Sequence, residues 1–401
     1  MSRGIHNIHN SHNIHSANKG SNGLLANMFA IIGIKYNLKT FLVASFVIIS
    51  FFALLALGLI SYYVSLNAIK KNINDNLLAV HRNKVNEISS ILTNQVSSIK
   101  SLASSKFIQD ASVAYESIAF GAGIDISQDT PLDQKYYTDL DNKYKEIFQE
   151  LLFQYGIKNL GIIQSGGIVI AQAKRDIFLG KNLITGSFKD TNLAKIFNSI
   201  GKVEVSNSRA YLVDLFYSDK LGRMASFLLF PMFSKYDRDG YSKNERMATL
   251  YVELDWELIN IISKFTTGLG STGEIYLIGS DRKLRTDTRS SDSKYTLGNQ
   301  YAGNAVSEEG KLKSPIIDKV LAFASDNSET GRILIEETTN YKGKSVLSVG
   351  SIENFLDNKW AVMVEMTTKE AYEPIVKMGY IIFIVSLAVL VAAIIFGLNN
   401  R

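Results

Sequence analysis

Cysteine is absent from this chain of 401 residues. No disulfide, thiol nucleophile or thiolate metal ligand is therefore available, and stability must come from packing. Histidine is scarce where chemistry would need it. Four of the five stand at positions 6, 9, 12 and 15, and only His81 lies beyond them. Cys/His and Ser/His/Asp machinery and the usual zinc ligand sets lack parts, so the composition points away from an enzyme and from a metal or cofactor. Acidic side chains are missing from both ends. All 38 lie within 65–377, together with 38 of the 43 basic residues, so the net charge of +5 sits entirely in the flanks. A formally neutral central region gives no basic footprint for a nucleic acid.

Charge is also missing from two long runs, Phe41 to Val64 and Met378 to Leu398. Each makes a helix of roughly 30–36 Å, enough to cross a hydrocarbon core. The first is too long for a signal-peptide core, and Ser61 to Ala68 offers no small-x-small cleavage site, so it reads as a retained anchor. An acid-free basic tail before the first run and Arg401 after the second put both ends in the cytoplasm and residues 65–377 outside.

The chain divides into a tail (1–40), a first span (41–64), two modules (65–267 and 268–377), a second span (378–398) and a short end (399–401). The His/Asn-rich tail, with His6, His9, His12 and His15 every third residue, reads as a disordered polar segment, the alternative being a metal-binding tract. Gly23 to Ile34 is apolar but too short to span. Beyond the first span, Ile69, Ile73, Leu77, Val85, Ile88, Leu92, Val96, Ile99 and Leu102 step by three and four without an interrupting Gly or Pro. This predicts one long outward helix whose apolar seam docks on its own domain or on a second copy.

A second helix is expected over Asp133–Tyr155, ended by Gly156. Then come a hairpin (Leu160–Ile163 and Ile168–Gln172), a short helix (Leu193–Ile200) and strands near Arg209–Phe216, Met224–Phe233 and Met247–Leu254. This is an α+β module, a mostly antiparallel sheet with helices on one side. The second module repeats the pattern, with a hairpin at 274–288, a helix at Pro315–Ala324 and strands at Gly331–Glu336, Ser345–Ile352 and Trp360–Met366. The repeated hairpin indicates a tandem duplication.

Gly268, Gly270 and Gly273 match G-x-G-x-x-G literally. A helix precedes them and a strand follows, the reverse of a dinucleotide site. His81 reads as a solvated or dimer-facing helix residue. Two polar clusters remain: Lys174, Arg175 and Asp176 with Tyr211, Asp214 and Tyr217, and Arg285, Asp287 and Arg289 on one strand face. Fixed charges among tyrosines suit a pocket for a small polar molecule, and the alternative is a solvated strand face. A pocket of this kind predicts that Asp214→Ala or Lys174→Ala weakens binding without unfolding the domain.

The stretch GLGSTGEIYLIGSDRKLRTDTR, Gly268 to Arg289, resembles the segment of double Cache (dCache) sensor domains in which a TGE-x-YL strand precedes a D-x-x-x-R turn and strand. YGIKNLGIIQSGGIVIAQAKRDIFLGKNLITG upstream and YKGKSVLSVGSIENFLDNKWAVMVEMTTKEAYEPI downstream are similar to that family's first distal hairpin and terminal strands. The resemblance implies two tandem PAS-like modules on a long N-terminal helix, the membrane-distal one holding a ligand. It also implies a dimeric receptor in a bacterial inner membrane with a periplasmic sensor, the input half of a chemotaxis-type protein, and a cytoplasmic signalling partner. No tryptophan lies between Lys174 and Phe216, so the family's amino-acid motif does not carry over, and no output domain follows Arg401. The expected function is a transmembrane receptor for a small molecule. The alternative is a membrane-tethered scaffold that engages another protein.

Overall fold

The computed structural model describes residues 38–399, apart from 202–204, 206–207, 238–240, 291–294 and 298–309. The histidine repeat and the apolar 23–34 stretch lie outside the described residues. The chain falls into two units, 1–67 with 374–401, and 68–373.

The first unit contains the opening of helix α1 (Leu38–Ser104) and most of helix α8 (Glu373–Asn399), the two helices long and apolar enough to cross a membrane. Large apolar side chains such as Phe46, Ile49, Phe52, Ile381 and Phe383 point outward, as a lipid-facing surface requires. A Cβ at Gly58 would stand 2.9 Å from Ile382 Cγ2, so glycine permits the close helix approach there.

In the second unit α1 continues without a break to Ser104, where the Ser105 side chain caps α2 (Lys106–Gly121), a helix not among those expected from the sequence. Leu77, Ile88, Leu92, Ile99 and Leu102 are buried, so the seam of α1 docks on its own domain. Helix α3 (Lys135–Tyr155) ends where Gly156 takes the left-handed conformation, φ 60°, as the expected cap requires.

The first sheet runs β1 (Ile157–Gln164), β2 (Val169–Gln172), β3 (Tyr211–Ser218), β4 (Arg223–Phe233) and β5 (Arg246–Leu254), all antiparallel, in spatial order β2-β1-β5-β4-β3. Period-two alternation sends Leu160, Ile162, Leu228 and Leu250 into the core shared with α1, α2 and α3. Phe227, Leu229, Tyr211 and Tyr251 go to the other face. That face is covered as well, by Phe178, Phe188 and helix α4 (Asn192–Ile200). The expectation of helices on one side only is thereby corrected: both faces are apolar, and each needs a cover.

The second sheet, β6 (Glu274–Gly279), β7 (Ile333–Thr339), β8 (Ser345–Phe355) and β9 (Asn358–Thr367), has the order β6-β9-β8-β7. This is the order of the first sheet without its outermost strand. Residues 283–288, expected as the second strand of a hairpin, form only an isolated bridge, Leu284 to Ile278. The reason is local: Thr286 Oγ1 accepts from Leu277 N at 3.0 Å, so a side chain takes a position that the strand ladder would have filled. Helix α6 (Pro315–Ala322) covers one face of this sheet with Ile316 and Val320, and α1 covers the other with Leu77. A short helix, α7 (Thr368–Ala371), follows β9 and leads through Tyr372 into α8.

His81 is not solvated. It is 1% exposed, with Nε2 3.2 Å from Val362 O and 3.1 Å from Ser351 Oγ. Burial pushes its pKa down to about 4, so it is neutral over the physiological range.

Candidate functional site

Among the described residues of the second unit, three polar arrangements take up or adjoin the residues singled out in the sequence. The first lies on the α4-side face of the first sheet, at the ends of β1, β2, β4 and β5. Asp176 accepts from Phe178 N at 2.9 Å, Asn159 Nδ2 at 3.1 Å and Gln172 Nε2. Gln172 Oε1 accepts from Asp176 N at 3.0 Å, and its amide also donates to the Tyr251 hydroxyl. Glu253, 1% exposed, holds Arg223 through two parallel bonds, one of them 2.9 Å. Burial raises the Tyr251 pKa well above its ordinary value, so the phenol stays neutral and its hydroxyl remains a donor.

Gly161 makes this arrangement possible. A Cβ there would stand 2.4 Å from the Tyr251 ring. Gly161→Ala should push the ring off Gln172 and destabilise the fold by about 1–3 kcal/mol. A lowered urea midpoint with an unchanged slope would show it, and an unchanged midpoint would mean that the ring repacks freely.

The second arrangement is an open cavity of about 420 Å³ beside the β3–β4 turn, lined by Ser187, Asp190, Asn192, Phe216, Tyr217 and Asp219 among others. Lys220 stands at its edge, donating to Ser187 O and lying 4.1 Å from the Phe188 ring centroid. Two aromatic residues, Phe216 and Tyr217, with hydroxyl, amide and carboxylate groups in the lining, suit a small polar molecule.

The third joins the two sheets. Arg285 Nε and Nη2 reach Asp214 Oδ1 and Oδ2 at 2.8 and 2.7 Å, and Trp360 Nε1 donates to the same Asp214 Oδ1 at 3.1 Å. Trp256 Nε1 donates to Arg285 O at 2.6 Å, and the two indoles meet edge to face at 5.5 Å. Asn358 Nδ2 adds a bond to Leu212 O at 3.1 Å.

The residues singled out in the sequence are thus distributed over all three. Tyr217 lines the cavity, and Asp176 belongs to the polar network. Lys174 is exposed and contributes only its backbone, to Asn159. Arg175 pairs with Asp141 on α3 at 2.5 Å. Tyr211 is packed in the core under the Arg209 guanidinium, 4.7 Å from its ring centroid. Asp214 faces the second sheet, so its substitution is expected to cost stability, in contrast to the reading from sequence.

In the second cluster Arg285 is 5% exposed and paired as above. Asp287 accepts from Asn260 Nδ2 at 2.8 Å and from Leu297 N at 2.5 Å. Arg289 Nη1 reads the carbonyls of Gly273 at 3.0 Å and Gly270 at 3.3 Å. These three side chains do not share a strand face. Only Arg289 reaches the glycine-rich turn, whereas Arg285 ties to Asp214 of the first sheet and Asp287 to Asn260 and Leu297.

The turn itself binds an anion, and the anion is internal. Glu370 on α7 accepts from Ser271 N at 2.6 Å, Thr272 N at 2.7 Å and both side-chain hydroxyls. These bonds stabilise its charged form and hold its pKa down at about 2, against a desolvation effect that runs the other way. Gly270, at φ 66°, leaves room for this carboxylate, since a Cβ would stand 2.3 Å from Glu370 Oε1.

Sequence reasoning missed Gln172, Arg223 and Glu253. A signal was present in the last: a lone carboxylate inside the apolar strand MATLYVEL must be paired if that strand is buried on both faces.

No family model matches the chain, and no curated protein does. Among solved structures the chain is similar to the periplasmic sensory domain of the Campylobacter jejuni chemoreceptor Tlp1, with 14% identity, a TM-score of 0.47, and coverage of 76% of this chain and 99% of that one. It is also similar to the ligand-binding domain of the Pseudomonas aeruginosa amino acid chemoreceptor PctB in complex with L-Gln, at 12% identity and TM-score 0.42, covering 74% of this chain and 92% of that one. A third is the ligand-binding domain of the Pseudomonas fluorescens chemoreceptor CtaA in complex with L-isoleucine, at 11% identity and TM-score 0.40, covering 77% and 97%.

Proposed function

We propose that the chain is a transmembrane receptor whose outer region binds a small polar molecule and passes the event to the cytoplasmic side through its two apolar helices. One observation carries this reading. The outer fold is entered by an uninterrupted helix, α1, and left through a four-residue helix and a single turn residue into α8, so neither connection contains a slack loop. A ligand that prefers one arrangement of the outer elements can shift such a protein between states only through that differential affinity.

Under this reading the chain is the input half of a chemotaxis-type receptor, a homodimer in a bacterial inner membrane with residues 65–377 in the periplasm. The cavity beside Tyr217 and the network around Asp176 are its candidate ligand sites. Its signal goes to a cytoplasmic partner, and the protein is not an enzyme.

The test is thermal unfolding of the detergent-solubilised chain against amino acids, organic acids, amines, purines and sugars. A ligand at about 100 times its Kd should stabilise the fold by roughly 2.7 kcal/mol. One observation favours the scaffold alternative: Leu258, Ile261 and Phe265 are 40%, 43% and 60% exposed and step by three and four along and just beyond helix α5 (Glu257–Lys264). A flat panel on folded protein would favour a protein partner on that face over a small ligand.

A further inference from the structure

We infer that the rung formed by Glu274 and Glu365 in the second sheet is a proton-binding site that makes the outer region responsive to external pH. Antiparallel register sets Glu274 of β6 directly opposite Glu365 of β9, and Ser348 of β8 opposite Glu365 on the other side. Both carboxylates are buried, at 4% and 1% exposure. Side chains that face each other in such a pair have Cβ atoms about 5 Å apart, and like charges there are destabilising.

The groups facing the rung leave one negative charge without a counter-ion. From the β7–β8 turn, Lys342 Nζ reaches Glu274 Oε2 at 2.8 Å and Tyr341 donates to the same oxygen at 3.0 Å. From β6 and β8, Tyr276 and Ser348 donate to Glu365 Oε1 at 2.8 and 3.2 Å. Glu365 Oε2 is buried beside Asn340 without a well-aligned hydrogen bond. Tyr295 packs edge-on against Tyr341 at 4.9 Å and closes the aromatic side. The lysine of α6, Lys319, is already paired with Glu336 at 2.6 Å. Among the described residues that face the rung, one ammonium therefore serves two carboxylates.

A proton on Glu365 removes the excess charge. Burial, reinforced by the Glu274 charge and opposed by the Tyr276 bond, raises Glu365 to about 7. The protonated state lets β6 and β9 pair without repulsion. Ionisation places two like charges across a buried rung, and that rung lies three residues before α7. The two protonation states thus favour different arrangements of the strand that leads out of the fold, which is what a sensor requires. The proposal is independent of any ligand bound near Tyr217 or Asp176.

The sign of the stability effect follows from the raised value. The folded state holds this proton more tightly than the unfolded chain, so stability falls as pH rises from 4.5 to about 7 and is flat above.

The test is infrared difference spectroscopy on the full chain in detergent, following the protonated-carboxyl band from pH 5 to 9 at fixed ionic strength. The wild type should lose such a band with a midpoint near neutrality. Glu365→Gln should lack it, with the stability slope below pH 7 reduced. Glu274→Gln should move the midpoint to lower pH, because it removes the like charge. This second variant decides the matter if Glu365→Gln fails to fold. A band that persists in Glu365→Gln, a midpoint unmoved in Glu274→Gln, or no titration in that window would overturn the proposal. So would a midpoint that follows sodium or magnesium concentration, which would assign the rung to a metal cation.

Discussion

Asp214→Ala should lower the stability of the second unit by about 3 kcal/mol, the low end of what is lost when one partner of a buried ion pair is removed. The low end applies because the Asp214 side chain is 27% exposed and Arg285 retains Asp281 at 3.1 Å. What remains is a guanidinium with 6% of its side chain exposed and half its bonds unmade. Asp214→Asn keeps an acceptor for Trp360 and should lose less. Equilibrium urea unfolding reads the difference. A loss under about 0.5 kcal/mol would put the pair among ordinary surface ion pairs and remove its role in joining the sheets.

Truncating Trp360 should cost still more, about 3–5 kcal/mol, as large aromatic deletions in cores do. Its side chain is fully buried, meets Trp256 at 5.5 Å and Phe355 at 5.1 Å, and donates to Asp214. Trp360→Phe keeps the packing and drops the donor, so it should retain most of the stability. The double variant with Asp214→Ala should lose less than the sum, because the two residues share a bond. Both tryptophans of the chain stand at this junction. Indole fluorescence therefore reports its opening directly, and a fluorescence transition that precedes the loss of helix signal would show the sheets separating first.

Most elements, though not α2 or the irregular 283–288 segment, were legible in the sequence because their signals are local. Gly156 ends α3, Thr191 caps α4, Pro315 opens α6, and the stripe along α1 is buried where its spacing places it. The partners of polar residues were not legible, because they are set by tertiary contact. Asp214 and Arg285, 71 positions apart, were read as members of two separate clusters, and only the approach of the two sheets makes them a pair. The alternation Lys283, Arg285, Asp287 imitates a strand, yet Thr286 spends its side chain on Leu277 N and both the side chain and the backbone N–H of Asp287 are taken by Asn260, so the ladder stops after one bridge. His81 was read as solvated or dimer-facing because polar residues on long helices usually are, whereas its place in the α1 seam put it under the second sheet. Glu274 and Glu365, like Glu253, carry a sequence signal: each is a solitary carboxylate in a strand otherwise made for a core.

Glu365 and Glu370 are five residues apart and titrate at opposite ends of the scale, about 7 and about 2. In an acidifying medium the first takes up its proton while the second keeps its grip on Ser271 and Thr272 until the pH nears that lower value. The strand leading out of the fold can therefore change charge at Glu365 while Glu370 still holds the glycine-rich turn against α7.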